Sequence, residues 1–333
     1  MPKLQGLQML RAFAAVMVLI GHSIAEAEHY FQLSFNADLI PWTRGVDIFF
    51  VVSGFIITIS AQRYANRPAA FMWRRFLRVA PLYYIFTTLM VIMLLVLPNG
   101  PKDTTLDWGQ VISSYGFFPF AREDGRIAPV LSLGWTLNYE VFFYAIFAFA
   151  LMFGRLFMIA CAALLCLSSV GAILSFESPQ LVFWTNPILM EFLYGMILAK
   201  LYLAGWHRPD GRWAMMIFSL GIIWMIYLHS TQWPRYIAAG IPAAMIVSAG
   251  TLFYQKQTPY FQVLGDASYA LYLSHRFTLR AMTILILPAL PDTTTGAFMY
   301  LVTVIIASIG IAILVHLWLE RPLLYRTNKA ART

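Results

Sequence analysis

The sequence predicts an all-α polytopic membrane protein of about ten transmembrane helices, with its N- and C-termini cytoplasmic. Three observations carry that expectation. Of the 333 residues, 60% are hydrophobic and only 11% charged, where an ordinary globular chain has about 25% charged, and the mean hydropathy is +0.69. Apolar stretches of spanning length recur along the whole chain. Lys and Arg are unevenly shared between the loops that alternate between these stretches.

The spans read as residues 7–25, 43–61, 79–97, 135–153, 156–175, 184–203, 213–229, 236–254, 263–287 and 297–319. The first could pass for a cleavable signal, because Ala25-Glu26-Ala27 follows an apolar run. An arginine inside the run, a spanning length and nine further spans predict a retained helix instead. In the second span Ser53-Gly54 offers a small-residue surface for close helix approach. The third span follows a basic cluster in FMWRRFLRVAPLYY, and the fourth opens in SLGWTLNYEVFFY. Between them, the loop 98–134 carries DWGQVISSYGFFPF, whose aromatics suit an interfacial helix, a re-entrant segment or a plain aromatic belt. In the fifth span Cys161 and Cys166 point apart on a helix and match no metal-ligand spacing, so no metal is expected. Glu191 in the sixth span has no partner readable from the sequence. The ninth, GDASYALYLSHRFTLRAM, holds Ser274, His275, Arg276 and Arg280 near mid-membrane. They either line a cavity or form a hydrogen-bonded seam between helices. With no repeat and no long linker, one membrane domain over 1–325 and a short basic cytoplasmic tail over 326–333 are expected.

Orientation follows from the basic residues. With the N-terminus inside, the inner segments hold Lys3, Arg63, Arg67, Arg74, Arg75, Arg78, Arg155, Lys200, Arg208, Arg212, Lys256, Arg321, Arg326, Lys329 and Arg332. The outer loops hold only Arg44, Lys102, Arg122, Arg126 and Arg235, along with most of the acids. The formal charge of +8 is then mainly topological, and basic inner loops also favour anionic membrane lipid. Nucleic-acid binding is not expected, since it needs a soluble basic face.

The buried polar groups carry the functional signal. Arg11 and His22 are eleven residues apart in LQMLRAFAAVMVLIGHS, about three helical turns, so they share one face roughly 16 Å apart along the axis. Ionisable groups inside a membrane are costly and mark function. His22 lies near the outer end of its span, at one depth with Asp47 and Glu140. A carboxylate beside a histidine holds one tautomer and makes it a better base; equally, His22 could bond two helices together, Glu140 could pair with Arg11 or Arg44, and Asp47 could sit in interfacial water. At the inner face Arg74, Arg75 and Arg78 share a helix face through i,i+3 and i,i+4 spacing. Guanidinium forks at a helix N-terminus suit a polyphosphate, while arginines there also serve as ordinary positive-inside anchors.

Taken in order, Arg11-x10-His22, GVDIFFVVSGFII, RRFLRVAPLYY with Arg75-x-x-Arg78, SLGWTLNYEVFFY, YALYLSH and LERPLL resemble the acyltransferase 3 family of integral membrane acyltransferases, in particular bacterial exopolysaccharide-production O-acetyltransferases. The resemblance covers most of the chain. It implies transfer of an acyl group, usually acetyl from acetyl-CoA, to a hydroxyl of an envelope carbohydrate at the bacterial inner membrane. His22 would be the catalytic histidine and Arg11 its partner, with Arg75 and Arg78 binding coenzyme A phosphates. Combined with the depth map, this predicts acyl-CoA docked on Arg74, Arg75 and Arg78 with its arm running past Arg11. His22, oriented by Glu140 or Asp47, then deprotonates an acceptor hydroxyl on a lipid-linked or nascent polysaccharide. Arg11, Trp135 and Asn138 are candidates to stabilise the oxyanion, and Ser274, His275 and Arg276 to line the cavity. An acyl-histidine intermediate and the oligomeric state stay open. The alternative from another class is a transporter or flippase for a lipid-linked saccharide, which inverted repeats and paired broken helices would favour; neither is evident.

Overall fold

The computed structural model describes residues 5–35, 40–97, 104–254 and 262–330, the last five of these by backbone alone. In chain order its helices are α1 (Gln5–Phe31), α2 (Gly45–Ala61), α3 (Pro68–Val96), α4 (Trp108–Tyr115), α5 (Trp135–Met152), α6 (Leu156–Ile173), α7 (Pro179–Trp184), α8 (Leu189–Leu203), α9 (Gly211–His229), α10 (Ile241–Ser248), α11 (Gln262–Asp266), α12 (Ser268–Ile286), α13 (Thr294–Val315) and α14 (Arg321–Ala330). The all-α expectation holds, and among the described residues nine helical segments are long and apolar enough to cross a membrane. The ninth expected span, 263–287, becomes α11 and α12; α12 has 19 residues but is less apolar than the nine, because His275, Arg276 and Arg280 lie inside it.

Contacts group the chain into two units, Met1–Ile56 with Tyr194–Leu319 and Ile57–Leu193 with Glu320–Thr333. Two of the three boundaries fall inside α2 and α8, and the third, Leu319 to Glu320, falls between α13 and α14. In the first unit α1 packs against α11, α12 and α13, α12 lies along α13, and α9 along α10. Its core has one cluster around Ala15, Leu19, Leu271 and Ala312 and another around Ala27, Phe31, Leu279, Tyr300 and Val304. Small residues bring backbones together as the Ser53-Gly54 step predicts. A Cβ added at Gly195 of α8 would stand 2.1 Å from the Val51 carbonyl oxygen and 3.0 Å from the Gly54 Cα. Gly195→Ala must therefore spread α2 and α8, at about 1–3 kcal/mol for overpacking. A lowered thermal midpoint in a detergent melt is the expected result.

In the second unit α3 packs on α5, α5 on α6, and α14 on α3. The core is aromatic: Phe143 stacks with Phe192 at 4.3 Å and packs on Phe147 at 4.5 Å. Helix α3 starts at Pro68, in the first turn where a missing N–H costs nothing, and well before the expected residue 79. The apolar window missed these turns because they are amphipathic, with Phe71 buried and Trp73 exposed.

The loop 98–134 is described from residue 104 on, its first six residues lying outside the described residues. It folds into the eight-residue helix α4, whose Asp107 cap accepts from the Gln110 N–H at 2.6 Å. Eight residues span about 12 Å and cannot cross a membrane. Its Gln110, Val111 and Ser114 face inward while Trp108 and Ile112 are exposed, the pattern of an interfacial helix. Tyr83 and Tyr84 of α3 donate to the carbonyls of Ser114 and Tyr115 and hold it. Beyond it, hydrogen bonds from the Arg126 side chain and backbone hold the exposed Asp124 carboxyl down at about 2.

The sixth span is broken. Asn186-Pro187 interrupts it, with the Asn186 side chain accepting from the Ile188 N–H, so α8 acquires its own N-terminus. Glu191, fully buried, stands in the first turn of that helix, where the dipole favours a carboxylate. This is a local electrostatic reason for an acid the sequence left unexplained.

Candidate active site

Helix α1 runs unbroken from Gln5 to Phe31, so Arg11 and His22 keep the shared face that their spacing predicts. Arg11 is half-buried and donates to Gln8 Oε1 at 3.3 Å. His22 meets His275 of α12: His22 Nδ1 and His275 Nε2 are 2.9 Å apart. The ring planes differ by 12° with centroids 5.1 Å apart, so that nitrogen contact joins the imidazoles edge to edge in one plane.

With both imidazoles neutral, the chain of contacts orders their protons. His275 is buried, and its Nδ1 lies 2.9 Å from the Leu271 carbonyl oxygen one turn back. A carbonyl only accepts, so Nδ1 carries the proton and the neutral ring turns a lone pair outward at Nε2. His22 Nδ1 must then be the donor to His275. That leaves His22 Nε2 unprotonated and available as a base or nucleophile. Arg276, next on α12, is near enough to act electrostatically on both rings, and a guanidinium there can stabilise a developing oxyanion. Ser274 is buried, and its hydroxyl has no hydrogen-bond partner.

The ring that meets His22 is thus a second imidazole. Asp47, fully buried in the first turn of α2, is held by Arg235 Nη2 at 2.8 Å and Arg44 Nη1 at 3.8 Å. It works as an ion-pair anchor where the helix dipole also favours it. Glu140 belongs to the second unit, where its Oε1 accepts from the Tyr144 hydroxyl.

The second unit holds the basic cluster. Arg75 donates to the Ser60 hydroxyl, and its guanidinium lies 5.8 Å from the Phe71 ring centre and 6.0 Å from that of Tyr144. Arg78 pairs with the buried Glu320 of the LERPLL segment at 3.5 Å. All three arginines are half-buried, but they stand two to three turns into α3. Their backbone N–H groups are spent in the helix ladder, so the expected N-terminal dipole contribution is absent. Any anion held here is held by guanidinium groups alone. On α5, Asn138 is 1% exposed and both atoms of its amide lack a hydrogen-bond partner, a rare and costly state that a polar ligand would relieve. Trp135 packs edge-on against Tyr139 at 5.8 Å.

Three contacts join residues far apart in the chain that no local pattern pairs: His275 with His22, Arg235 with Asp47, and Glu320 with Arg78. Only Glu320 left a sequence signal, an acid directly before Arg321-Pro322 at the end of an apolar span.

Residues 4–317 match the acyltransferase 3 family model, described as an acyltransferase domain. The chain belongs to the acyltransferase 3 family. It is 30% identical to the exopolysaccharide production protein ExoZ of Rhizobium meliloti (strain 1021) over 92% of this chain and 95% of that protein. It is 26% identical to nodulation protein 10 of Rhizobium leguminosarum bv. viciae, over 82% of each chain. It is likewise 26% identical to the acyltransferase MdmB of Streptomyces mycarofaciens, over 79% of this chain and 66% of that one. No solved structure matches. The protein is therefore an acyltransferase of the membrane-embedded, all-helical kind, which sets aside the transporter alternative.

Proposed function

We propose that this acyltransferase moves an acyl group, acetyl in the first instance, from cytoplasmic acyl-CoA to a hydroxyl of an envelope or exopolysaccharide sugar at the bacterial inner membrane. The observation that carries the reading is the His22–His275 pair, which leaves one bare imidazole nitrogen. His22 Nε2 takes the proton of the acceptor hydroxyl as its oxygen attacks the thioester carbonyl. The C–S bond breaks, the ester C–O bond is formed, and the departing thiolate takes the proton from the imidazolium to leave as coenzyme A. His275 accepts from His22 Nδ1–H throughout and stabilises the transient cation, as the carboxylate of a catalytic triad does. Arg276 faces the developing oxyanion.

Donor binding draws on Arg74, Arg75 and Arg78, whose forks suit the nucleotide phosphates, and on Asn138, whose amide complements the amides of the pantetheine arm. The bias of Lys and Arg toward the inner loops supports cytoplasmic termini and a cytoplasmic donor. The resemblance to ExoZ, by its name a protein of exopolysaccharide production, supports a saccharide acceptor, lipid-linked or nascent.

The test is thermal. A ligand that binds only the folded state at 100 times its Kd stabilises by about 2.7 kcal/mol. Saturating acetyl-CoA should raise the melting midpoint of the purified protein by several degrees, and dephospho-CoA by less. No shift with acetyl-CoA would remove the donor assignment.

A further inference from the structure

The groups immediately beyond His22 along α1 are not used by the chemistry above, yet they are strongly polar and converge. Glu26 and Tyr30 follow His22 at i+4 and i+8, on the same face and one and two turns on. Opposite them, Arg280 of α12 donates from Nη1 to the Tyr30 hydroxyl at 3.1 Å. The pairings 22 with 275 and 30 with 280 advance together, so α1 and α12 run parallel, and this polar strip continues directly from the histidine pair. Tyr300 of α13, in the buried cluster against which Tyr30 packs, closes it, and Glu26, Tyr30 and Arg280 all act on its hydroxyl electrostatically.

Hydrogen accounting gives the strip a mixed character. The Thr283 hydroxyl donates to the Leu279 carbonyl at 2.9 Å, so the Tyr300 hydroxyl, 2.7 Å away, must donate to Thr283 and keeps its own lone pairs for accepting. Arg280 Nε is buried and has no hydrogen-bond partner, an unusual state for a guanidinium nitrogen. Along the two turns that follow the base stand a carboxylate, a phenol oxygen with spare acceptor capacity and a guanidinium nitrogen without a hydrogen-bond partner. An anion would meet Glu26 and be repelled. Adjacent ring hydroxyls of a neutral sugar, each both donor and acceptor, fit all three.

We propose that Glu26, Arg280 and Tyr300 form the acceptor subsite, gripping vicinal hydroxyls of a neutral pyranose so that a third hydroxyl reaches His22 Nε2. This deepens the acyltransfer reading and rests on it. The test uses wild-type protein in sugar-free lipid nanodiscs with acetyl-CoA, offering octyl β-D-glucopyranoside, octyl β-D-galactopyranoside and octyl β-D-glucuronide. Acetyl esters are measured by mass spectrometry and released coenzyme A by its thiol.

Transfer to at least one neutral glycoside, ahead of the glucuronide, is expected. Arg280→Met should raise the acceptor KM at least tenfold while acetyl-CoA still stabilises the variant thermally, and Glu26→Gln should narrow the gap between neutral and glucuronide acceptors. Should Arg280→Met lose its fold, Tyr300→Phe reads the same subsite, with a smaller rise in acceptor KM. An unchanged acceptor KM in folded Arg280→Met, or coenzyme A release with no transfer to any of the three glycosides, overturns the subsite alone. Wild-type protein that neither binds nor consumes acetyl-CoA overturns the acyltransfer reading and the subsite with it.

Discussion

His22→Ala is expected to lower acyl transfer by about 10³-fold, the upper part of the range for loss of a positioned general base, with acetyl-CoA binding retained. The pair geometry makes a sharper series possible at His275. In His275→Leu the His22 Nδ1–H loses its acceptor, the tautomer is no longer held, and the imidazolium that forms during transfer loses its stabilising partner. A fall of about 10²-fold is expected, less than at His22 because the base itself survives. His275→Gln supplies an amide oxygen that can accept from Nδ1, so it should recover part of the loss. Steady-state rates of coenzyme A release with each variant check the order His22→Ala, His275→Leu, His275→Gln, wild type. If His275→Leu and His275→Gln proved equally impaired, His275 would be a packing residue rather than a positioning one.

The second large effect concerns the donor. On the proposed donor site, Arg75→Ala with Arg78→Ala would remove two charge-assisted contacts to phosphate, each worth about 1.5–3 kcal/mol, so coenzyme A affinity should fall by roughly 10²-fold or more. Arg75 already rests against Phe71 and Tyr144 and touches Ser60, a setting that suits a planar, multi-donor guanidinium better than an ammonium. Arg75→Lys should therefore recover little. Binding of coenzyme A measured calorimetrically in detergent gives the answer, and an affinity that survives the double substitution would return both arginines to a topological role.

How much of this was legible in the sequence depends on the range of each interaction. The face shared by Arg11 and His22 needs only the helical period, and it holds because α1 is continuous. The α2–α8 contact was half legible: Ser53-Gly54 announced a close approach, but not that Gly195 would meet it. The third span lies on α3 as expected, but the helix begins earlier, at Pro68, because hydropathy windows ignore its amphipathic first turns. Partners far apart in the chain left little trace. His275 is 253 positions from His22, and nothing local says that its Nε2, rather than a carboxylate, would meet Nδ1. Arg235, assigned to an outer loop, gives no sign that it neutralises Asp47. Such pairings arise from helix packing, whereas periodicity, caps and charge bias are written within a few residues.

In the proposed mechanism His22 presents an unprotonated Nε2 because His275 holds its other nitrogen. The most direct measurement is nitrogen-15 magnetic resonance of the His22 ring in proteoliposomes at neutral pH, assigned by comparison with His22→Ala. The structure predicts a neutral ring with Nδ1 protonated and Nε2 bare, and loss of that single tautomer in His275→Leu. A His22 ring protonated at Nε2, alone or together with Nδ1, would contradict the account.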